Sequence, residues 1–132
     1  MKKTVIEIRV RYVETDQMGV AHHASYFAWM EAARTELLRK TGMSYRAFEE
    51  KGFHLPVRET YCRYRTSLRY DDVMTIEATL LELGGASLKI GYKIYKKGEN
   101  ELIADGYTLH PFTDTSGKVV KTPGFFRSLF NS

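Results

Sequence analysis

The chain predicts an α+β domain: one antiparallel sheet with a single long helix on its inner face. Three observations carry this. An alternating apolar segment opens the chain, an apolar stripe at helical spacing follows it, and four or five further alternating segments are joined by tight turns. Consecutive strands joined by such turns pair antiparallel.

The elements follow in order. In residues 5–13, Ile6, Ile8, Val10 and Tyr12 share one face, and Glu7, Arg9 and Arg11 share the other. That is the pattern of a half-buried strand. Residues 14–22 break the alternation, with Gly19 marking a turn. Tyr26, Met30, Ala33 and Leu37 then recur at i, i+4, i+7 and i+11, with Phe27 and Leu38 beside them. This gives a helix over about 23–41, stopped by Gly42, with Glu36 placed to pair with Arg39 or Lys40. Ser44 and Gly52 bracket a short second helix, 44–51.

Phe53, Leu55 and Val57 share a face in the next segment, after which Cys62, Tyr64, Leu68 and Tyr70 take the even positions. That change of parity predicts a β-bulge near 59–61. Residues 73–83 put Met74, Ile76, Ala78 and Leu80 inward, and Gly84-Gly85 reads as a two-residue hairpin turn. Ala86, Leu88, Ile90, Tyr92 and Ile94 face inward in 86–97, opposite Lys89, Lys93 and Lys97. Turns at 97–100 and 116–117 lead into strands at 101–112 and 118–122. An aromatic tail of Phe125, Phe126 and Phe130 follows Pro123-Gly124 and is read as exposed.

The 132 residues fit one domain, 1–132, and 43% hydrophobic against 27% charged residues exclude a disordered chain. No apolar run reaches the roughly 20 residues of a membrane span, and no secretory h-region is visible at the N-terminus. One cysteine, Cys62, excludes an intrachain disulfide and suits the cytoplasm. Twenty Lys and Arg against 16 Asp and Glu give +4, a balance that suits nucleic acid, an acidic membrane or a phosphorylated small molecule as well as an ordinary soluble surface.

Chemistry concentrates between the first strand and the long helix. Glu14, Asp16, Gly19, His22 and His23 arrive together at a helix N-terminus, where unpaired N–H groups favour a developing oxyanion. A carboxylate there could attack a carbonyl or activate water; it could equally cap the turn. Adjacent histidines do not share a helix face and no His or Cys partner has metal spacing, so no metal is expected. His54 and His110 read as ordinary strand-edge histidines, and Glu31, three before Arg34, as half of a surface ion pair.

The segment Tyr12-x-Glu14-Thr15-Asp16-x-x-Gly19-Val20-x-x-His23-Ala24-x-Tyr26, followed by Glu31-x-Ala33-Arg34-x-Glu36-x-Leu38-Arg39, resembles the hot-dog-fold acyl-CoA thioesterases of the YbgC and 4-hydroxybenzoyl-CoA type. Tyr64, then Asp71-Asp72, Gly85-Ala86-Ser87-Leu88, and Asp114-x-x-Gly117-Lys118 with Pro123 extend the likeness over about 5–125. Ser67, where many relatives have proline, and Ala21-His22 depart from it. The resemblance implies a long central helix wrapped by a five- or six-stranded antiparallel sheet. It implies hydrolysis of acyl-CoA without cofactor. Asp16 would be nucleophile or general base, His23 would polarise the thioester carbonyl through its backbone N–H, and Tyr12 would orient the aspartate. Gly19, Val20 and Tyr26 would line the substrate site, and Lys118 and Lys121 would meet CoA phosphates. A homodimer or homotetramer, with sites at the interface, is also implied.

Three alternatives stay open. The acyl group could be carried on acyl-carrier protein. A module could grip CoA esters without turnover. A nucleic-acid binder would use Arg58, Arg63, Arg65 and Arg69, with Tyr61 and Tyr64 nearby, but no recognised motif accompanies that run, and neither a nucleic-acid partner nor a membrane span is expected.

Overall fold

The computed structural model describes residues 2–130. Its five strands are β1 (Lys3–Arg9), β2 (Glu59–Tyr64), β3 (Val73–Leu83), β4 (Ser87–Lys96) and β5 (Leu102–Pro111). They form one antiparallel sheet in the order β1-β3-β4-β5-β2, which leaves β1 and β2 at the edges. The helices are α1 (His23–Lys40), α2 (Tyr45–Glu50) and α3 (Gly124–Phe130).

Strand alternation builds one wall of the core. Met74, Ile76, Ala78 and Leu80 of β3 are fully buried, as are Leu88, Ile90, Tyr92 and Ile94 of β4. The α1 stripe supplies the other wall with Tyr26, Met30, Ala33, Leu37 and Leu38. Trp29 joins it, although the stripe read from the sequence did not include it. Each fully buried side chain of this size contributes about 1.5–3 kcal/mol. Gly42, at φ +99°, ends α1, and Ser44 caps α2 by accepting from Ala47 N–H at 3.2 Å. Glu36 pairs with Arg39.

Several expectations are corrected. Tyr12 does not face the core: β1 ends at Arg9 and residues 12–14 form a 3-10 turn that leaves Tyr12 78% exposed. Phe27 lies at the margin of the stripe and is exposed, and so is Tyr70. Residues 53–58 form no strand; a single bridge joins His54 to Thr113, Leu55 is buried and Val57 is exposed. β2 pairs β5 in unbroken register through 59–61, so no bulge lies there. The register slips lie elsewhere, between Leu80 and Glu82 and between Ile94 and Tyr95. Gly84 and Gly85 take no positive φ; Gly84 N–H closes the connection on Ser87 O at 2.8 Å. Residues 118–122 make only one bridge, Val119 to Thr113. The aromatic tail folds back as α3. Phe126 is buried against Phe48 and Phe112, with centroids 5.8 and 5.3 Å away.

His110 is not a strand-edge residue either. It is 1% exposed inside a hydrogen-bonded series. The Tyr92 hydroxyl and Thr108 Oγ1 lie 2.7 Å apart, and Thr108 Oγ1 lies 2.7 Å from His110 Nε2. His110 Nδ1 lies 3.1 Å from Leu55 O, so a neutral ring protonated at Nδ1 satisfies both ends. Burial, with the nearby Arg34 charge, pushes its pKa down to about 4 against the pull of the Leu55 carbonyl.

This sets a pH dependence. The unfolded chain takes up a proton at His110 below about 6.5 and the folded chain only below about 4. Stability is therefore fully present above pH 6.5 and falls as pH drops from 6.5 to 4, by about 3 kcal/mol from this group. Urea midpoints across that range should fall for the native chain and fall less steeply for His110→Gln; parallel profiles would contradict the assignment.

Candidate active site

The loop from Val10 to His22 carries the chain from the sheet to α1. Its shape is set by Glu14. One carboxylate oxygen accepts Arg11 N–H at 2.8 Å; the other accepts the Trp29 indole N–H at 3.0 Å and an Arg11 guanidinium N–H at 3.3 Å. The Glu14 carbonyl accepts His22 N–H and the Ser25 hydroxyl, both at 3.0 Å. One residue thus joins the start of the loop, its end and the first turns of α1. Burial acts to raise the Glu14 pKa, but the hydrogen bonds from Arg11 and Trp29 outweigh it and hold the carboxyl below its ordinary value.

Inside this frame the chain reverses over 16–20. Asp16 N–H donates to Val20 O at 2.8 Å, and Gly19 N–H donates to Asp16 O at 3.0 Å. Gly19 sits at φ +81°, a left-handed conformation that glycine adopts without strain. Asp16 Oδ1 accepts Met18 N–H at 2.9 Å and Val20 N–H at 3.3 Å. The capping role is therefore real, and it uses one oxygen only. Among the described residues no donor reaches Oδ2.

α1 starts directly after this turn, with His22 extended at its N-cap. Ser25 N–H is tied to His22 O at 3.0 Å, which leaves the N–H groups of His23 and Ala24 as donors α1 does not use itself. The His23 ring stacks on Tyr64 at 4.0 Å and 11°, and the Tyr64 hydroxyl donates to His23 O at 3.4 Å. Tyr26 meets Tyr64 edge-on at 4.9 Å. Burial, helped by the neighbouring Cys62, pushes both phenols up to about 12, so both remain proton donors near neutrality.

Asp16, Val20, His22, His23, Tyr26 and Tyr64 line one cleft of about 340 Å³. Thr66 and Ser67 add hydroxyls to its rim. Four of the expected site residues are thus brought together: Asp16, Val20, His23 and Tyr26. Gly19 shapes the turn behind them. Tyr12 stands beside Asp16 on the outer surface, edge-on to Tyr70 at 5.8 Å, and not inside the cleft. Lys118 and Lys121 are exposed near the turn closed by Gly117 N–H on Asp114 O at 3.1 Å. That turn follows the far end of β5, whereas Tyr64 pairs with Ala104 near its start. Within one chain these lysines do not reach Asp16. Glu31 does not line the cleft. Tyr64 was missed as a site residue, although its even parity in β2 marks it as inward-facing. No group of three or more His, Cys, Asp or Glu residues among those described could hold a metal.

Comparisons with known proteins agree with this architecture. A model of the thioesterase-like superfamily matches residues 10–130. The acyl-CoA thioester hydrolase YbgC of Escherichia coli is 35% identical over 102 residues, 77% of this chain and 75% of that protein. The crystal structure of a hypothetical protein, TT1821, from Thermus thermophilus superposes with a TM-score of 0.90 at 32% identity, covering 98% of this chain and 95% of that one. The DHNA-CoA thioesterase of Staphylococcus aureus superposes with a TM-score of 0.92 at 26% identity, covering 99% and 90%. With its five-stranded sheet wrapped on α1, the chain belongs to the thioesterase-like superfamily and has the hot-dog fold.

Proposed function

We propose that the protein hydrolyses acyl-CoA thioesters to free acid and CoA, with Asp16 as the carboxylate that attacks the thioester or activates water. The observation that carries this is the cleft itself. Asp16 is fixed through Oδ1 with Oδ2 left open, at the mouth of a helix N-terminus with unspent N–H donors. A thioester carbonyl between them would meet an oxygen nucleophile on one side and donors for its oxyanion on the other. His23 supplies a backbone donor, Tyr26 and Tyr64 supply neutral phenols, and Val20 supplies an apolar wall. The chemistry needs no metal or organic cofactor.

Asp16 and His23 are exposed in the single chain, so the cleft lacks one wall. β2 is an open sheet edge, with unpaired backbone groups along one side. Pairing two copies antiparallel across β2 extends the sheet. It also carries the second copy's 113–121 turn from the far end of its β5 toward this copy's Asp16. Lys118 and Lys121 would then stand near the anionic nucleotide of CoA. A homodimer, alone or within a tetramer, and a cytoplasmic setting are part of this reading. Supply of the acyl group by acyl-carrier protein is the alternative chemistry.

The direct test is free-thiol release over short, long and aromatic acyl-CoAs, with acyl-carrier-protein esters run in parallel. The substitution Asp16→Asn keeps Oδ1 as acceptor and removes the charge. It should leave the melting temperature and assembly nearly intact while lowering kcat about 10²-fold or more. Retention of most wild-type turnover would remove Asp16 from the catalytic role.

The two-copy arrangement makes its own prediction. Light scattering should give a dimer or tetramer at micromolar concentration. Lys118→Ala with Lys121→Ala should raise KM more than it lowers kcat, since phosphate contacts exist in ground and transition states alike. A stable monomer of 15.2 kDa, or an unchanged KM, would contradict it.

A further inference from the structure

A second hollow lies further along α1. It is a cavity of about 300 Å³ between α1, the segment 55–57 and strands β4 and β5. Its walls are mainly apolar, with Leu38, Leu55, Val57, Leu88 and Ile90 among them. Polar side chains line it as well: Arg34, Thr35, Tyr45 and the buried His110. Glu31 stands at the rim and is exposed.

The polar groups are unequally supplied. The hydrogen bonds of Tyr92, Thr108 and His110 run in series to Leu55 O and leave no spare acceptor on the imidazole. Arg34 meets this series at the Tyr92 hydroxyl. A guanidinium carries five N–H donors, and that hydroxyl can receive only part of them. Among the described residues no Asp or Glu carboxylate lies within 4.0 Å of Arg34. A half-buried guanidinium with N–H groups left over beside an apolar cavity is placed to take an anionic group of a ligand.

The cleft and the cavity lie against the same helix, the cleft at the start of α1 and the cavity further along it. His23, Phe27, Glu31, Arg34 and Leu38 recur at spacings of 4, 4, 3 and 4 and so occupy one face of α1. A shallower hollow lined by Phe27, Ala28, Met30 and Thr60 lies along this face and shares Glu31, Arg34 and Val57 with the cavity. The rise of an α-helix puts Arg34 roughly 16 Å from His23.

We infer that this cavity receives the far end of the acyl group and selects chains that terminate in a carboxylate, bound by Arg34. The inference rests on the thioesterase reading of Asp16, and it names the substrate class of that site. The apolar walls take the methylenes. The carboxylate accepts two parallel N–H bonds from the guanidinium, the geometry that arginine suits and lysine does not. Glu31 opposes the anion only weakly, because it lies in solvent.

Three acyl-CoA esters of matched chain length test this, ending in methyl, hydroxyl and carboxylate, in short and long series. kcat/KM is measured by thiol release for the native chain, Arg34→Lys and Arg34→Met. Binding of the same esters to the Asp16→Asn protein, with and without Arg34→Met, is measured by calorimetry. The native chain should favour the carboxylate over the methyl ester at least tenfold at the length that reaches Arg34. Arg34→Lys should keep the sign of that preference, and Arg34→Met should abolish or reverse it. Equal or better use of the methyl or hydroxyl ester by the native chain overturns the inference, as does a ratio unchanged in Arg34→Met. If Arg34→Met does not fold, the native ratio together with Arg34→Lys decides. If no ester releases thiol, the hydrolase reading fails, and the calorimetric ratio still decides the role of Arg34.

Discussion

The buried carboxylate of Glu14 is the interaction on which the site depends. A loop of this length between a strand and a helix has many conformations, and fixing each residue costs about 1–2 kcal/mol of conformational entropy. Glu14 offsets that cost at the point of greatest leverage. Its side chain accepts from Arg11 at the start of the loop and from Trp29 in the second turn of α1, and its carbonyl holds His22 and Ser25. The turn bearing Asp16 is thereby clamped at both ends. Leu68 adds a further tie, accepting Ala21 N–H at 2.7 Å.

Two carboxylates two residues apart therefore have opposite fates. Glu14 is 7% exposed, and both its oxygens are spent on donors that favour the charged form. Asp16 is exposed and spends one oxygen on its own turn. The first suits an anchor and the second suits chemistry. The same division runs through the polar core. His110 is a buried, fully partnered imidazole, whereas Arg34 at the other end of the same series keeps donors in hand. What separates a structural polar group from a functional one here is whether its hydrogen-bonding capacity is exhausted within the chain.

Much of this was legible in the residues. Period-2 alternation located β3 and β4 to within a residue or two, because both strands bury one face against α1 and leave the other toward solvent. The 3.6-residue stripe located α1 for the same reason, and Gly42 and Gly52 fixed helix ends at positive φ. The failures share a cause. Tyr12, Val57 and Tyr70 continue an alternation that the backbone has already abandoned, since local pattern cannot report where a strand leaves its sheet. Trp29 was not counted in the stripe, although it stands three residues after Tyr26 and packs edge-on against it at 4.8 Å; its partner Glu14, across the loop, satisfies the indole N–H and lets the ring be buried. The juxtaposition of Asp16, His23 and Tyr26 could be read from neighbouring sequence. The even parity of Tyr64 showed that it faces inward, but not that it meets His23 and Tyr26, because that contact joins β2 to the start of α1 across a long stretch of chain. His110 was misjudged because burial of a polar ring follows from Thr108 and Leu55 acting together, not from its own position in a strand.

The Glu14–Trp29 bond holds the Asp16 turn in its working shape. Amide hydrogen exchange on Trp29→Phe tests it, because the substitution keeps an aromatic ring in the core and removes the indole N–H together with part of the ring's bulk; the amides of β3 and β4 report any general loosening. Exchange should be faster at the N–H groups of Asp16, Met18 and Val20, with the amides of β3 and β4 still protected as in the native chain. Unchanged protection across 16–20 would show that the turn holds itself, and would contradict the account.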